Sequence, residues 1–318
     1  MAIQIGIELE MMNITGNEVI GAVETAGARV SHTIHGYHQG PSPTSGLWKM
    51  ESDSSLTGYQ GMSTCGYDTK GSIELISPIL YGAAGVKELN RVLTRINRTG
   101  AYANRLCGTH ITVGLDNNAR WNAMSDTKKI ATLDRIARFY NHFQTVFDAI
   151  SPNYRNALNN NYVGRTRLYS QGATSTKMAG VNFSSFISRG VVEFRQPGYT
   201  LNKKVIGLWI KVIQKVMSMA LNENHVSRGI ALTTMPMTVT GLATYLDMNS
   251  SLESKVRARV QLLADKYETG RSSRLAVLAT PNTISAEDAN EVVNCICCGM
   301  PFVARLWGQN ICNDEGCF

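Results

Sequence analysis

The sequence predicts an α+β protein. Two patterns point to this: short segments where apolar and polar residues alternate with the period of a strand, and longer ones where apolar residues recur with the period of a helix. A crowding of cysteines into the final residues predicts a further small unit at that end.

The first strand reads Ile3-Gln4-Ile5-Gly6-Ile7-Glu8-Leu9-Glu10. Alternation turns Ile3, Ile5, Ile7 and Leu9 toward a core, while Gln4, Gly6, Glu8 and Glu10 share the other face. Residues 16–30 read as a helix with Val19, Ile20, Val23 and Ala26 on one side. Residues 31–70 are rich in Gly, Ser, Thr, Tyr and His and read as hairpins and loops. A strand runs from Ser72 to Ser77 and ends at Pro78, after which Val86, Leu89, Val92, Leu93 and Ile96 repeat at helical spacing. Another strand runs from Thr109 to Leu115. One long amphipathic helix carries Ile130, Leu133, Ile136, Ala137, Tyr140, Phe143 and Phe147, and it stops before Ser151-Pro152.

Residues 153–180 are polar and read as a long loop, a length that in compact domains is often functional. Val191 to Gln196 is a strand. A helix from Asn202 to about Ala220 follows, with Val205, Leu208, Trp209, Val212, Ile213 and Val216. Beyond residue 225 the character changes. Ser250 opens a helix with Glu253 three residues on, a capping box. Gly270 ends that helix, and a linker of small and polar residues leads to the cysteines. The expected organisation is a main domain over 1–225, a helical extension over 226–285 and a Cys-rich tail over 286–318.

With 318 residues the chain can bury a sizeable core. Its 43% hydrophobic and 17% charged shares are those of a globular protein. The net charge of +7 suits acidic partners such as phosphates or nucleic acid. The basic residues are dispersed, however, and form no aromatic–basic platform for single strands. No apolar run approaches the ~20 residues of a membrane span, and no secretory leader is visible. The expectation is a cytoplasmic protein without membrane contact.

Chemistry is concentrated on four strands. Glu8 and Glu10 share a face of the first, Glu74 lies between Ile73 and Leu75, His110 stands with Thr112, and Glu193 shares a face with Arg195. Singly, each is an ordinary solvated strand residue. If these strands are neighbours, one sheet face gathers carboxylates that repel unless cations offset them. Mg²⁺ takes oxygen ligands and keeps phosphate oxygens in its shell. The planar fork of Arg195 suits phosphate.

These segments, in order, resemble the amidoligase family, the carboxylate–amine ligases related to glutamine synthetase and glutamate–cysteine ligase. The matching residues are Gly6-Ile7-Glu8-Leu9-Glu10, Trp48 with Asp53-Ser54-Ser55-Leu56, Ile73-Glu74-Leu75-Ile76-Ser77-Pro78, Cys107-Gly108-Thr109-His110 and Val191-Val192-Glu193-Phe194-Arg195-Gln196. Tyr154-Arg155 and Asn182 are weaker matches. The likeness covers about residues 1–220.

It implies a curved, mainly antiparallel sheet with flanking helices around ATP and Mg²⁺ or Mn²⁺. Glu8, Glu10, Glu74, His110 and Glu193 then look like metal-site residues, with Glu8, Glu193 and Arg195 central to the reaction. Arg195 and Arg155 look like phosphate contacts, and Asp53 and Ser55 look like part of the substrate side. The implied activity joins a small-molecule or peptide carboxylate to an amine through an acyl phosphate. Related enzymes often assemble, so a homo-oligomer is expected. The family often has a second histidine two residues after the first, and here Thr112 stands in that place. That substitution keeps a catalytically inactive scaffold as an alternative, alongside a ligase acting on a nucleic-acid-linked group.

The tail carries Cys295-Ile296-Cys297-Cys298-Gly299, then Cys312 and Cys317. A CxxC followed by glycine is the shape of a zinc knuckle. With Cys295 and Cys298, Cys312 and Cys317 are the expected tetrahedral S₄ set for structural Zn²⁺, with Cys297 an alternative ligand or a bystander. The competing reading is a group of reduced thiols.

Overall fold

A computed structural model describes residues 4–57, 63–103, 106–116, 118–155, 163–172, 179–222 and 232–278, with the backbone of 292–294 and 301–303. The chain forms two compact units. One takes the residues up to 117 with Pro197–Gly207, and the other takes Asn118–Gln196 and the described residues from Leu208 onward.

The first unit is a sheet backed by helices. Its elements are β1 (Gln4–Ile14), α1 (Gly16–Thr25), β2 (Val30–His35), β3 (Trp48–Glu51), β4 (Gly71–Ile76), β5 (Leu80–Tyr81), α2 (Gly82–Ile96) and β6 (Thr109–Gly114). The strand order is β2-β3-β4-β1-β6, and β5 pairs with the start of β1. All of these pairings are antiparallel except that of β2 with β3. Region 31–70 therefore contains a parallel pair that its loop-like composition conceals.

The alternation of β1 holds: Ile5, Ile7 and Leu9 are buried, as are Trp48, Met50, Ile73, Leu75, Ile111 and Val113 on the neighbouring strands. The helices add Val19 and Val23 from α1 and Leu89, Val92, Leu93 and Ile96 from α2. Helix α1 starts at a capping box, where Thr15 Oγ1 accepts from Glu18 N and Glu18 Oε2 accepts from Thr15 N. It ends at Thr25 rather than running on to residue 30. Gly27 has φ +72°, a left-handed position that terminates helices, and Val30 already belongs to β2.

The second unit is mainly helical. It holds α3 (Ala119–Asn122), α4 (Asp126–His142), α5 (Gln144–Ala149), β7 (Val181–Asn182), α6 (Phe186–Arg189) and β8 (Val191–Phe194). Helix α7 (Lys203–Ala220) enters it from Leu208, followed by α8 (Val239–Tyr245), α9 (Ser250–Lys266) and α10 (Arg271–Leu278). The expected single helix through 130–147 is two helices, because Phe143 leaves helical geometry at φ −94°, ψ 18°. Phe139, Tyr140, Phe143 and Phe147 nevertheless all turn inward. Tyr140 stacks on Phe147 at 4.0 Å and 5°, and Phe147 lies 6.2 Å from Trp209. Strand β7 pairs antiparallel with β8, setting Val181 opposite Phe194 and Asn182 opposite Glu193.

The segment after Gly270 is the helix α10, not the linker that its small residues suggest. Helix α9 is capped one residue earlier than expected. Asn249 Oδ1 accepts from Leu252 N, and Glu253 pairs with Arg257 instead of closing a capping box. Among the described residues no helix is long and apolar enough to cross a membrane. Near the end, Val292–Asn294 (β9) pairs antiparallel with Pro301–Val303 (β10) on either side of the CxxC segment. Cys295, Cys298, Cys312 and Cys317 themselves lie outside the described residues.

Candidate active site

Register decides which polar residues of the first unit meet. Residues directly opposite across a strand pair point to the same face, with Cβ atoms ~4.5–5.5 Å apart. Glu10 lies opposite Glu74, and Glu74 lies opposite Glu51 on its other side. Glu8 lies opposite His110, and Thr112 opposite Gly6. Three carboxylates thus form a row across β3, β4 and β1, while Glu8 and His110 form a second row beside it.

Glu8 Oε2 stands 3.0 Å from His110 Nδ1, and His110 Nε2 stands 3.6 Å from Glu10 Oε1. The other Glu10 oxygen accepts a short hydrogen bond from the backbone N–H of Gly108. Glu8, Glu74 and His110 can each offer one ligand atom, and these atoms all lie within 4.8 Å of one another. Glu74 is 5% exposed and His110 3%. Burial, and then the charges of Glu8, Glu10, Asp53 and Glu51, hold the Glu74 carboxyl well above the usual carboxylate range. A divalent cation among these oxygens would relieve that repulsion, so the donor set fits a hard metal ion.

Glu51 is a member of this face that strand reading overlooked. It is fully buried, it pairs with Lys49 Nζ, and its Oε2 accepts from His38 N at 2.8 Å. A signal was present, since Trp48-Lys49-Met50-Glu51 alternates and puts Lys49 and Glu51 together. The Gly, Ser and Thr around it masked so short a strand. Asp53 and Ser55 lie just beyond. Asp53 caps the turn Ser54–Leu56, accepting from Ser55 N at 2.8 Å and from Ser55 Oγ at 2.7 Å.

Glu193 and Arg195 belong to the second unit. Arg195 Nη1 donates to Glu193 Oε1 at 2.6 Å, and Asn182 Nδ2 donates to Glu193 Oε2 at 2.5 Å. Strand β8 ends at Phe194, so Arg195 stands just past it when its guanidinium pairs with Glu193. Arg155 ends the turn Asn153–Arg155 and is 2% exposed.

A family model described as "Putative amidoligase enzyme" matches residues 2–217, more than half of the chain. This protein belongs to that amidoligase family. The match spans both the carboxylate rows and the Glu193–Arg195 pair, as the ordered motifs led one to expect. No curated protein sequence matches the chain.

Two solved structures share features of the amidoligase chain. A bifunctional glutathione synthetase from Pasteurella multocida aligns with 86% of this chain and 48% of its own, at 12% identity and a TM-score of 0.42. A novel glutamine synthase homolog aligns with 87% of this chain and 66% of its own, at 11% identity and a TM-score of 0.37. The amidoligase chain spans less than two thirds of the length of either.

Proposed function

We propose that the chain is an ATP- and Mg²⁺-dependent carboxylate–amine ligase. One observation carries the reading: Glu8, Glu74 and His110, far apart in sequence, present ligand atoms within 4.8 Å of one another on an acidic face where Glu74 and His110 are buried and Glu8 is half-buried. Family membership supports it. Mg²⁺ or Mn²⁺ held there would neutralise triphosphate oxygens.

In this reading an oxygen of the substrate carboxylate attacks the γ-phosphorus of ATP, and the bond to the bridging oxygen of ADP breaks. Arg195 offsets charge on the phosphoryl oxygens as it passes. The nitrogen of the amine then attacks the acyl carbon of the acyl phosphate. Phosphate leaves, the nitrogen loses a proton, and an amide or isopeptide bond remains. Glu10 and Glu193 join the metal-holding set, Arg155 takes a phosphate or a substrate carboxylate, and Asp53 and Ser55 shape the substrate side. Positioning and charge neutralisation do the chemistry, so Cys107, which is fully buried, has no role as a nucleophile.

Glu8→Gln and Glu193→Gln each remove a negative charge at nearly constant shape. Each is expected to lower amine-dependent ADP release by about 10²-fold or more without loss of cooperative unfolding. The assay uses a pool of amino acids and polyamines. Full activity in both variants removes the ligase reading. No turnover by the wild type, with Mn²⁺ binding intact, favours the non-catalytic scaffold that Thr112 suggests.

A further inference from the structure

Gln196 closes the strand motif of the second unit, and the proposed reaction leaves it without a task. Alternation after β8 sends Arg195 to one face and Gln196 to the other, with Phe194. Both Phe194 and Gln196 are fully buried. A primary amide in such a place has two donor hydrogens and an acceptor oxygen to satisfy. All are used. Gln196 Nε2 donates to Arg155 O at 2.7 Å and to Asp148 Oδ1 at 2.9 Å. Gln196 Oε1 accepts from Gln144 Nε2 at 3.1 Å, and the same Gln144 nitrogen reaches Asp148 Oδ1 at 2.9 Å. The space is closed on the remaining side. A Cβ at Gly180 would stand 3.0 Å from Gln196 Oε1 and 2.8 Å from the Tyr140 ring.

The partners are specific in what they join. Arg155 O belongs to the turn Asn153–Arg155, Asp148 to α5, and Gln196 is the immediate neighbour of Arg195, whose own N–H is held by Gly180 O at 2.9 Å. We propose that Gln196 is a positioning residue that ties the Arg155 turn to the strand end bearing Arg195, and so sets both arginines for a phosphate-bearing substrate. The inference rests on the ATP reading above. It also explains the residue type. Glutamate has the same shape but would aim a carboxylate oxygen at Asp148 Oδ1 and at a carbonyl, acceptor against acceptor.

The test measures two affinities in Gln196→Glu and in the milder Gln144→Met, which leaves the amide itself in place and removes the nitrogen that donates to its oxygen and to Asp148. One probe is the non-hydrolysable ATP analogue with an imido bridge between its β and γ phosphorus atoms, titrated calorimetrically with Mg²⁺. The other is Mn²⁺ alone, followed by paramagnetic resonance. Nucleotide affinity is expected to fall about tenfold in Gln196→Glu and about threefold in Gln144→Met, with Mn²⁺ affinity within about twofold of wild type. Nucleotide affinity unchanged in a folded variant overturns the proposal. So does a parallel loss of both affinities, which marks a merely structural amide. A wild type that binds no nucleotide removes the ATP reading itself, whereas intact binding in the variants removes the positioning role alone.

Discussion

Glu74 shows how a single residue couples charge to stability. Its carboxyl is held above the ordinary range by burial and by neighbouring carboxylates. The folded value therefore exceeds that of the unfolded chain, and the protonated form favours folding. That contribution is fully present below the ordinary carboxylate range and is lost as pH rises through the raised folded value. Metal-free protein should thus lose thermal stability from mildly acid to alkaline pH. Glu74→Gln should flatten this dependence and melt about 3 °C or more above wild type at pH 8, while losing the stabilisation that added Mn²⁺ gives wild type. Calorimetric melts with and without Mn²⁺ check both. A wild type that becomes more stable with pH, or a variant that still responds to Mn²⁺, speaks against the metal-holding assignment.

At the scale of elements, local signals and their competitors can be separated. Helix α9 carries Ser250 and Glu253 at capping-box spacing, but Asn249 takes the cap and Glu253 turns to Arg257. Asparagine is at least as good a cap as serine, and Glu253 Oε1 accepts from the Arg257 guanidinium four residues on instead of from the backbone. Asn249→Ala is accordingly expected to cost about 1 kcal/mol, and Ser250→Ala less than about 0.5 kcal/mol, in denaturant unfolding. The reverse order would restore Ser250 as the cap. The break at Phe143 and the overlooked β3 have different causes. Apolar spacing continues through Phe143, so periodicity does not see its dihedral change, whereas β3 is a four-residue alternation set among turn-forming residues.

For the whole molecule, the four tail cysteines and the β9–β10 pair support a proposal of structural zinc. Purified chain should carry about one Zn²⁺ per molecule, and the double change Cys295→Ser, Cys298→Ser should remove it while Mn²⁺ binding at the carboxylate face persists. Atomic absorption on several preparations decides the point, and zinc content well below one equivalent favours reduced thiols. The fold divides in the same uneven way between what was legible early and what was not. Glu8, Glu10, Glu74 and His110 were identifiable because alternation on β1, β4 and β6 set them apart from the core residues beside them. Glu51 was missed because four residues are too short a run for that pattern, and the bonding of Gln196 was invisible because its partners lie 41, 48 and 52 positions away.

By itself, then, the amino-acid order determined which residues of β1, β4 and β6 face the core, which are polar, and which family the chain belongs to. Side-chain alternation and motif order are local properties, written within a few neighbouring residues. Only the tertiary structure decided the register that sets Glu10 beside Glu74 beside Glu51, and Glu8 beside His110. Register depends on hydrogen bonds between segments up to about a hundred residues apart. Such bonds form only when the chain closes those loops and buries its apolar faces together.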